Sequence, residues 1–112
     1  MPLGDTTARE VNIDRVFASL ADPTRRQLLE ALGRRPAASA TALAGELPVS
    51  RQAVVKHLGV LRESQLVASR RVGKEVLFSV RPESLVATAS WMTQLASTWQ
   101  ERLQQLKYAA EH

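Results

Sequence analysis

Between Val49 and Gly73 the chain reads V-S-R-Q-A-V-V-K-H-L-G-V-L-R-E-S-Q-L-V-A-S-R-R-V-G. Four of these side chains, Arg51, Gln52, Val55 and Lys56, have the types and spacing to read a surface of hydrogen-bonding groups. On a helix capped by Ser50 they share the exposed side of the first two turns. Arg and Lys match the O6 and N7 acceptors of guanine, Gln matches N6 and N7 of adenine, and a Val methyl can meet the thymine methyl. A helix that buries one face and shows Arg, Gln and Lys on the other fits a DNA major groove. An ordinary solvated helix explains the charges, but less readily an outward valine beside a glutamine.

The remaining cations suggest a backbone grip. Ser50 can cap the helix and aim its first amides at a phosphate. Arg70, Arg71 and Lys74 flank a turn, where they can hold phosphates, enter the minor groove or simply keep a hairpin soluble. Arg62 joins them on the outward side of the helix, while Arg25 and Arg26 can reach phosphates or make local ion pairs. Arg34 and Arg35 read as solvated. His57 sits beside the buried row, as a satisfied histidine or a phosphate donor rather than a metal ligand. There is no cysteine, no GxSxG, no glycine-rich phosphate loop and no HExxH, so no enzyme, cofactor or metal site is expected.

These residues need a scaffold. Ile13, Val16, Phe17 and Leu20 recur at i, i+3, i+4, i+7 and predict a helix over 11–21. Asp22-Pro23 reads as a cap and first position of a second helix, running to about Leu32 and stopped by Gly33. Ser39 or Thr41 caps a third, through about Leu47, and Pro48 ends it. A short link then leads to Ser50, so the third and fourth helices cross steeply as a helix-turn-helix. Val54, Leu58 and Leu61 form the buried row of the fourth. Strands over 66–72 and 76–80, joined by Val72-Gly73-Lys74-Glu75, make a hairpin that must pack on the helices as a wing. From Pro82 a last helix carries a heptad, with Leu85, Met92, Trp99 and Leu106 at one position and Ala89, Ala96 and Leu103 at the other. Trp91 and Leu95 widen the stripe beyond one seam, so one edge can pack on its own domain and the other on a partner. Trp91 and Trp99 serve such packing or line a small apolar effector pocket.

The 112 residues suit one domain, and 45% hydrophobic with 4% aromatic residues suits a core of Leu, Val and Ala. Net charge is +4, unevenly spread: residues 22–74 carry ten Lys/Arg against four Asp/Glu, and the flanks five against seven. A basic middle suggests a polyanion footprint. No apolar run approaches the ~18 residues of a membrane span, and the N-terminus lacks a signal-peptide core, so a cytoplasmic protein is expected.

Three segments together resemble the ArsR/SmtB family of bacterial winged-helix repressors. They are L-A-D-P-T-R-R-Q-L-L-E-A-L at 20–32, L-P-V-S-R-Q-A-V-V-K-H-L-G-V-L at 47–61 and L-V-A-S-R-R-V-G-K-E-V-L-F-S-V at 66–80. The tail W-M-T-Q-L-A-S-T-W-Q-E-R-L-Q-Q-L is similar to a cysteine-free branch. The resemblance covers about residues 12–108 and implies a mainly α winged helix-turn-helix of order α-α-α-α-β-β-α, between flexible ends at 1–11 and 109–112. It implies a homodimer built from the terminal helices, with Ile13, Val16 and Phe17 joining the heptad residues at the interface. That dimer would bind double-stranded DNA at an inverted repeat and repress transcription, with base contacts at Arg51, Gln52, Val55 and Lys56. Metal sensing does not carry over. The family's third-helix cysteine box falls on A-L-A-G-E-L, and its last-helix site needs Asp and His, which residues 82–108 lack. Other readings are a module for RNA or protein, and a small-ligand sensor built on the tryptophan-bearing helix.

Overall fold

The structure, a computed structural model, describes residues 11–112. Almost all of the N-terminal segment expected to be flexible lies outside the described residues. The elements in chain order are α1 (Ile13–Leu20), α2 (Pro23–Gly33), β1 (Ala38–Ser39), α3 (Ala40–Ala44), α4 (Arg51–Glu63), β2 (Val67–Val72), β3 (Glu75–Val80) and α5 (Glu83–Glu111).

Side-chain oxygens start four of the helices by taking up their free amides. Asn12 accepts from the Arg15 amide at 3.1 Å, Ser39 from Ala42 at 3.1 Å and Ser50 from Ala53 at 3.1 Å. Asp22 accepts from Thr24 at 2.8 Å and from Arg25 at 3.3 Å, with Pro23 in the first turn as expected. Two helix ends differ from expectation. Gly33 is the last helical residue of α2, and Arg34 closes that end in a right-handed conformation, so no left-handed glycine is used. α3 ends at Ala44 rather than near Leu47, because Gly45 caps it. The link to α4 is correspondingly longer.

α4 leaves through a Schellman motif. Gln65 takes φ +61°, its amide donates to the Arg62 carbonyl at 3.0 Å, and the Leu66 amide donates to Leu61 at 2.9 Å. Leu61 and Leu66 are both fully buried, which supplies the apolar contact of that motif. The chain then turns directly into the wing. Gly73 takes φ +62° at the hairpin tip, a region closed to most side chains. The wing is a three-stranded antiparallel sheet of order β1-β3-β2. β1 is absent from the sequence-based order; Ala38 and Ser39 carry no strand pattern and are recruited by pairing with Phe78 and Leu77.

The core joins α1 to α4 and the base of the wing through Val16, Leu28, Leu32, Leu43, Val54, Leu58, Leu61 and Leu66. Ser19 and Ser64, both buried, hydrogen-bond each other through their hydroxyls, which lets α1 pack against the end of α4 without an orphan polar atom. Among the described residues α5 is buried at its root, where Ser84 and Thr88 are buried and Leu85 and Ala87 are half-buried. Its 29 residues run through Glu111 and so include residues 109–111 of the end expected to be flexible.

Candidate nucleic-acid interface

α4 divides cleanly. Val54, Leu58 and Leu61 are wholly buried, and Arg51, Gln52, Val55, Lys56 and Arg62 are exposed. Val55 is 43% exposed, an apolar side chain held outward among cations and an amide. The Ser50 hydroxyl is engaged as the helix cap, which fixes where the exposed row begins.

The first turn of α4 does not stand alone. Arg51 Nε donates to Thr41 Oγ1 of α3 at 3.0 Å. Together they form one wall of a groove of about 580 Å³ between α3, the start of α4 and the wing. Val55 continues that wall, and Lys74, Val76 and Phe78 face it from the wing. Directly paired residues of antiparallel strands share a face. Arg71 pairs with Val76 and so lies on the groove side, whereas Arg70 pairs with Leu77 on the other face. Arg70, Arg71 and Lys74 are exposed, and among the described residues none has a hydrogen-bond or ion-pair partner.

Several residues expected at the DNA backbone also make contacts within the protein. Arg25 is mostly buried: Nε donates to the Ser19 carbonyl at 2.7 Å, Nη2 to Ala18 at 3.2 Å, and Nη1 approaches His57 Nδ1 at 3.3 Å. It ties the end of α1 to α4, and it takes His57, also expected at a phosphate, into the same bracket. Arg26 donates to the Leu20 carbonyl and closes the α1 terminus. The geometry of Arg26 follows from its place one turn into α2, facing the carbonyls that α1 leaves unpaired. Arg62 Nη1 donates to Ser69 Oγ of β2 at 2.9 Å, a link from helix to wing. Arg35, expected to be solvated, forms a two-pronged pair with Glu46. That pair holds the Glu46 carboxyl below its ordinary range and the Arg35 guanidinium above its own.

Of the residues assigned to a partner, one, Val16, belongs to the protomer itself. Val16 is 0% exposed in the core, because α1 turns this edge of its stripe inward, and Leu85 is half-buried against the same core. Ile13 is half-buried. Phe17, Ala89, Met92, Ala96, Trp99, Leu103 and Leu106 are exposed. Phe17 meets Trp91 edge-on with ring centres 5.9 Å apart, joining α1 to α5. Beyond Trp91, Met92, Leu95, Trp99, Leu103 and Leu106 continue an uncovered apolar stripe, and Trp99 is 60% exposed. Sequence reasoning missed Thr41, Ser69 and Glu46. Each is a small or charged partner whose only signal is spatial, since none shares a helical period with the arginine it meets.

Among the described residues no group of three His, Cys, Asp or Glu side chains comes together, and no helix is long and apolar enough to cross a membrane. A helix pair with one outward basic face, followed by a hairpin beside it, defines a winged helix-turn-helix DNA-binding protein. A helix-turn-helix domain model matches residues 20–70. The chain is 43% identical over 74 residues to the HTH-type transcriptional regulator Rv2034 of Mycobacterium tuberculosis, covering 66% of this chain and 68% of that one. It is 42% identical over 64 residues to the transcriptional repressor SmtB homolog of Synechocystis, covering 57% and 48%. The structure superposes on an ArsR-like transcriptional regulator from Rhodococcus with a TM-score of 0.80 and 41% identity, over 88% of this chain and 92% of that one. The chain belongs to the ArsR/SmtB family of winged helix-turn-helix transcriptional regulators.

Proposed function

We propose that the protein is a cytoplasmic homodimer that binds an inverted-repeat operator and represses transcription. The observation that carries this is α4 itself, with one face fully buried and Arg51, Gln52, Val55 and Lys56 outward beside the wing groove. Arg51, Gln52, Val55 and Lys56 read base edges in the major groove, and Arg71, Lys74, Arg70 and Arg62 hold the backbone around them. The uncovered stripe on α5, with Phe17, supports pairing of two copies, which sets two recognition helices about one helical turn (~34 Å) apart. Repression is proposed from the Synechocystis relative, which is named a repressor. The signal is proposed to be other than a thiolate-bound metal, since the chain has no cysteine. A second element of this reading is a small apolar effector bound along the tryptophan-bearing α5, where Trp91 and Trp99 are both exposed.

Selection from a random duplex pool tests the core of the proposal. A palindromic motif with half-sites about one turn apart is expected. Enrichment of no sequence points instead to an RNA or protein module, and a single unrepeated half-site defeats the dimeric form. Tryptophan fluorescence during titration with small apolar compounds tests the effector.

A further inference from the structure

The strongest unassigned relationship is the one between Thr41 and Arg51. It rests on α4 being the recognition helix. A guanidinium carries five N–H groups in a planar fork, one on Nε and four on the two Nη nitrogens. It can meet the O6 and N7 of guanine either end-on, through both Nη groups, or side-on, through Nε and one Nη. In this structure the Nε–H is already donated to Thr41 Oγ1 at 3.0 Å, so only the end-on edge is free.

Thr41 is well placed to hold that choice. It stands in the first turn of α3, which Ser39 caps and which Ala40 and Leu43 anchor in the core. A threonine on a helix has two main rotamers, and in the one seen here the hydroxyl accepts from Arg51. Arg51, by contrast, is a long exposed side chain with nothing else to orient it among the described hydrogen bonds. Val55 lies one turn further along the same groove wall.

We propose that Thr41 is a positioning residue for sequence reading, which holds Arg51 so that its two Nη groups meet a guanine end-on. Adenine presents one acceptor, N7, and a mismatched N6 donor, and an arginine held by Thr41 is less able to turn away from that mismatch, which sharpens the penalty for the wrong base. Thr41 touches no base in this account; it acts through Arg51.

The test uses the full-length protein and the operator recovered by selection, with each base pair changed in turn. Binding is measured by mobility shift for the wild type, Thr41→Val, Thr41→Ser and Arg51→Ala. Thr41→Val keeps the side chain's shape and removes the acceptor. It is expected to lower discrimination roughly three- to tenfold at the base pair that Arg51→Ala flattens, and not elsewhere. Thr41→Ser restores it. Matched circular dichroism melting curves show that the variants fold. If Thr41→Val loses affinity equally at every position, Thr41 is a backbone contact and the inference falls. It falls equally if Thr41→Val discriminates as the wild type while Arg51→Ala does not, which leaves the reading of α4 intact. If Arg51→Ala flattens no position, direct reading by Arg51 fails and takes this inference with it.

Discussion

Arg25 Nη1 and His57 Nδ1 meet at 3.3 Å across 32 residues of sequence, linking the second helix to the recognition helix. A guanidinium only donates, so Nδ1 accepts and the neutral ring carries its proton on Nε2. The other arms of Arg25 hold the last carbonyls of α1. One side chain therefore sets how α1, α2 and α4 meet. Arg25→Ala is expected to cost roughly 1–3 kcal/mol in urea unfolding, since buried acceptors lose a charged donor. DNA affinity falls with it, but the dependence of log K on log salt keeps its slope. A slope shallower by about one would place Arg25 at a phosphate instead. Lysine does not rescue, because one ammonium cannot span three acceptors in that geometry.

The wing behaves oppositely. Arg71 and Lys74 lie on the groove side of the hairpin and have no partner among the described residues. Arg71→Ala and Lys74→Ala are each expected to flatten the salt slope by about 0.9 with no change in folding stability. Arg70→Ala, on the far face, changes the slope less. Equal slopes for Lys74→Ala and the wild type would remove the wing tip from the DNA.

Such differences between neighbouring arginines were the least legible part of the sequence. The caps at Asp22-Pro23 and Ser50 could be read because a cap is local chemistry within three residues. The inward turn of Arg25 could not, because it depends on the angle at which α1 meets α2 and on a histidine two elements away. Val16 and Phe17 show the same limit. Helical spacing puts both on one stripe, yet one is wholly buried and the other 40% exposed. Periodicity finds an apolar face, and only packing decides which edge of it is covered. β1 was invisible for a related reason: two residues become a strand only because Phe78 and Leu77 are there to pair with them.

Asp22 predicts an acid limb in stability. Burial pushes its carboxyl up, but the amide bonds from Arg25 and Thr24, with the charge of Arg25, outweigh this and hold it below its ordinary value. A carboxylate depressed in the folded state stabilises at neutral pH. That contribution is lost as pH falls below about 4, through the folded value. Glu46, depressed by its hydrogen bonds to Arg35, adds to the same limb. Asp22→Asn still caps α2. Its urea midpoint is expected to fall less between pH 6 and pH 3 than that of the wild type. Parallel curves for the two proteins would show that Asp22 is not among the groups responsible.

The α5 stripe can be tested without disturbing the protomer, because Leu103 and Leu106 are exposed and far along the chain from the helix root. Leu103→Lys with Leu106→Lys is expected to halve the mass measured by light scattering and to leave the secondary structure of the domain unchanged. Operator affinity should drop sharply, since two half-sites no longer bind as one unit. A dimer that survives both lysines would have to be built elsewhere.

The seat of the 29-residue α5, made by buried Ser84 and Thr88, half-buried Leu85 and Ala87 and the Phe17–Trp91 ring contact, ends within its first three turns, and this has a consequence for regulation. Beyond Trp91 every residue of the helix is exposed. On the dimeric reading the exposed stripe of its outer turns is covered only when a second copy arrives, so burial of that stripe and assembly are one equilibrium. Occupancy of the operator then rises more steeply than in proportion to the amount of protein made. Such a regulator would respond to its own abundance before any effector is considered.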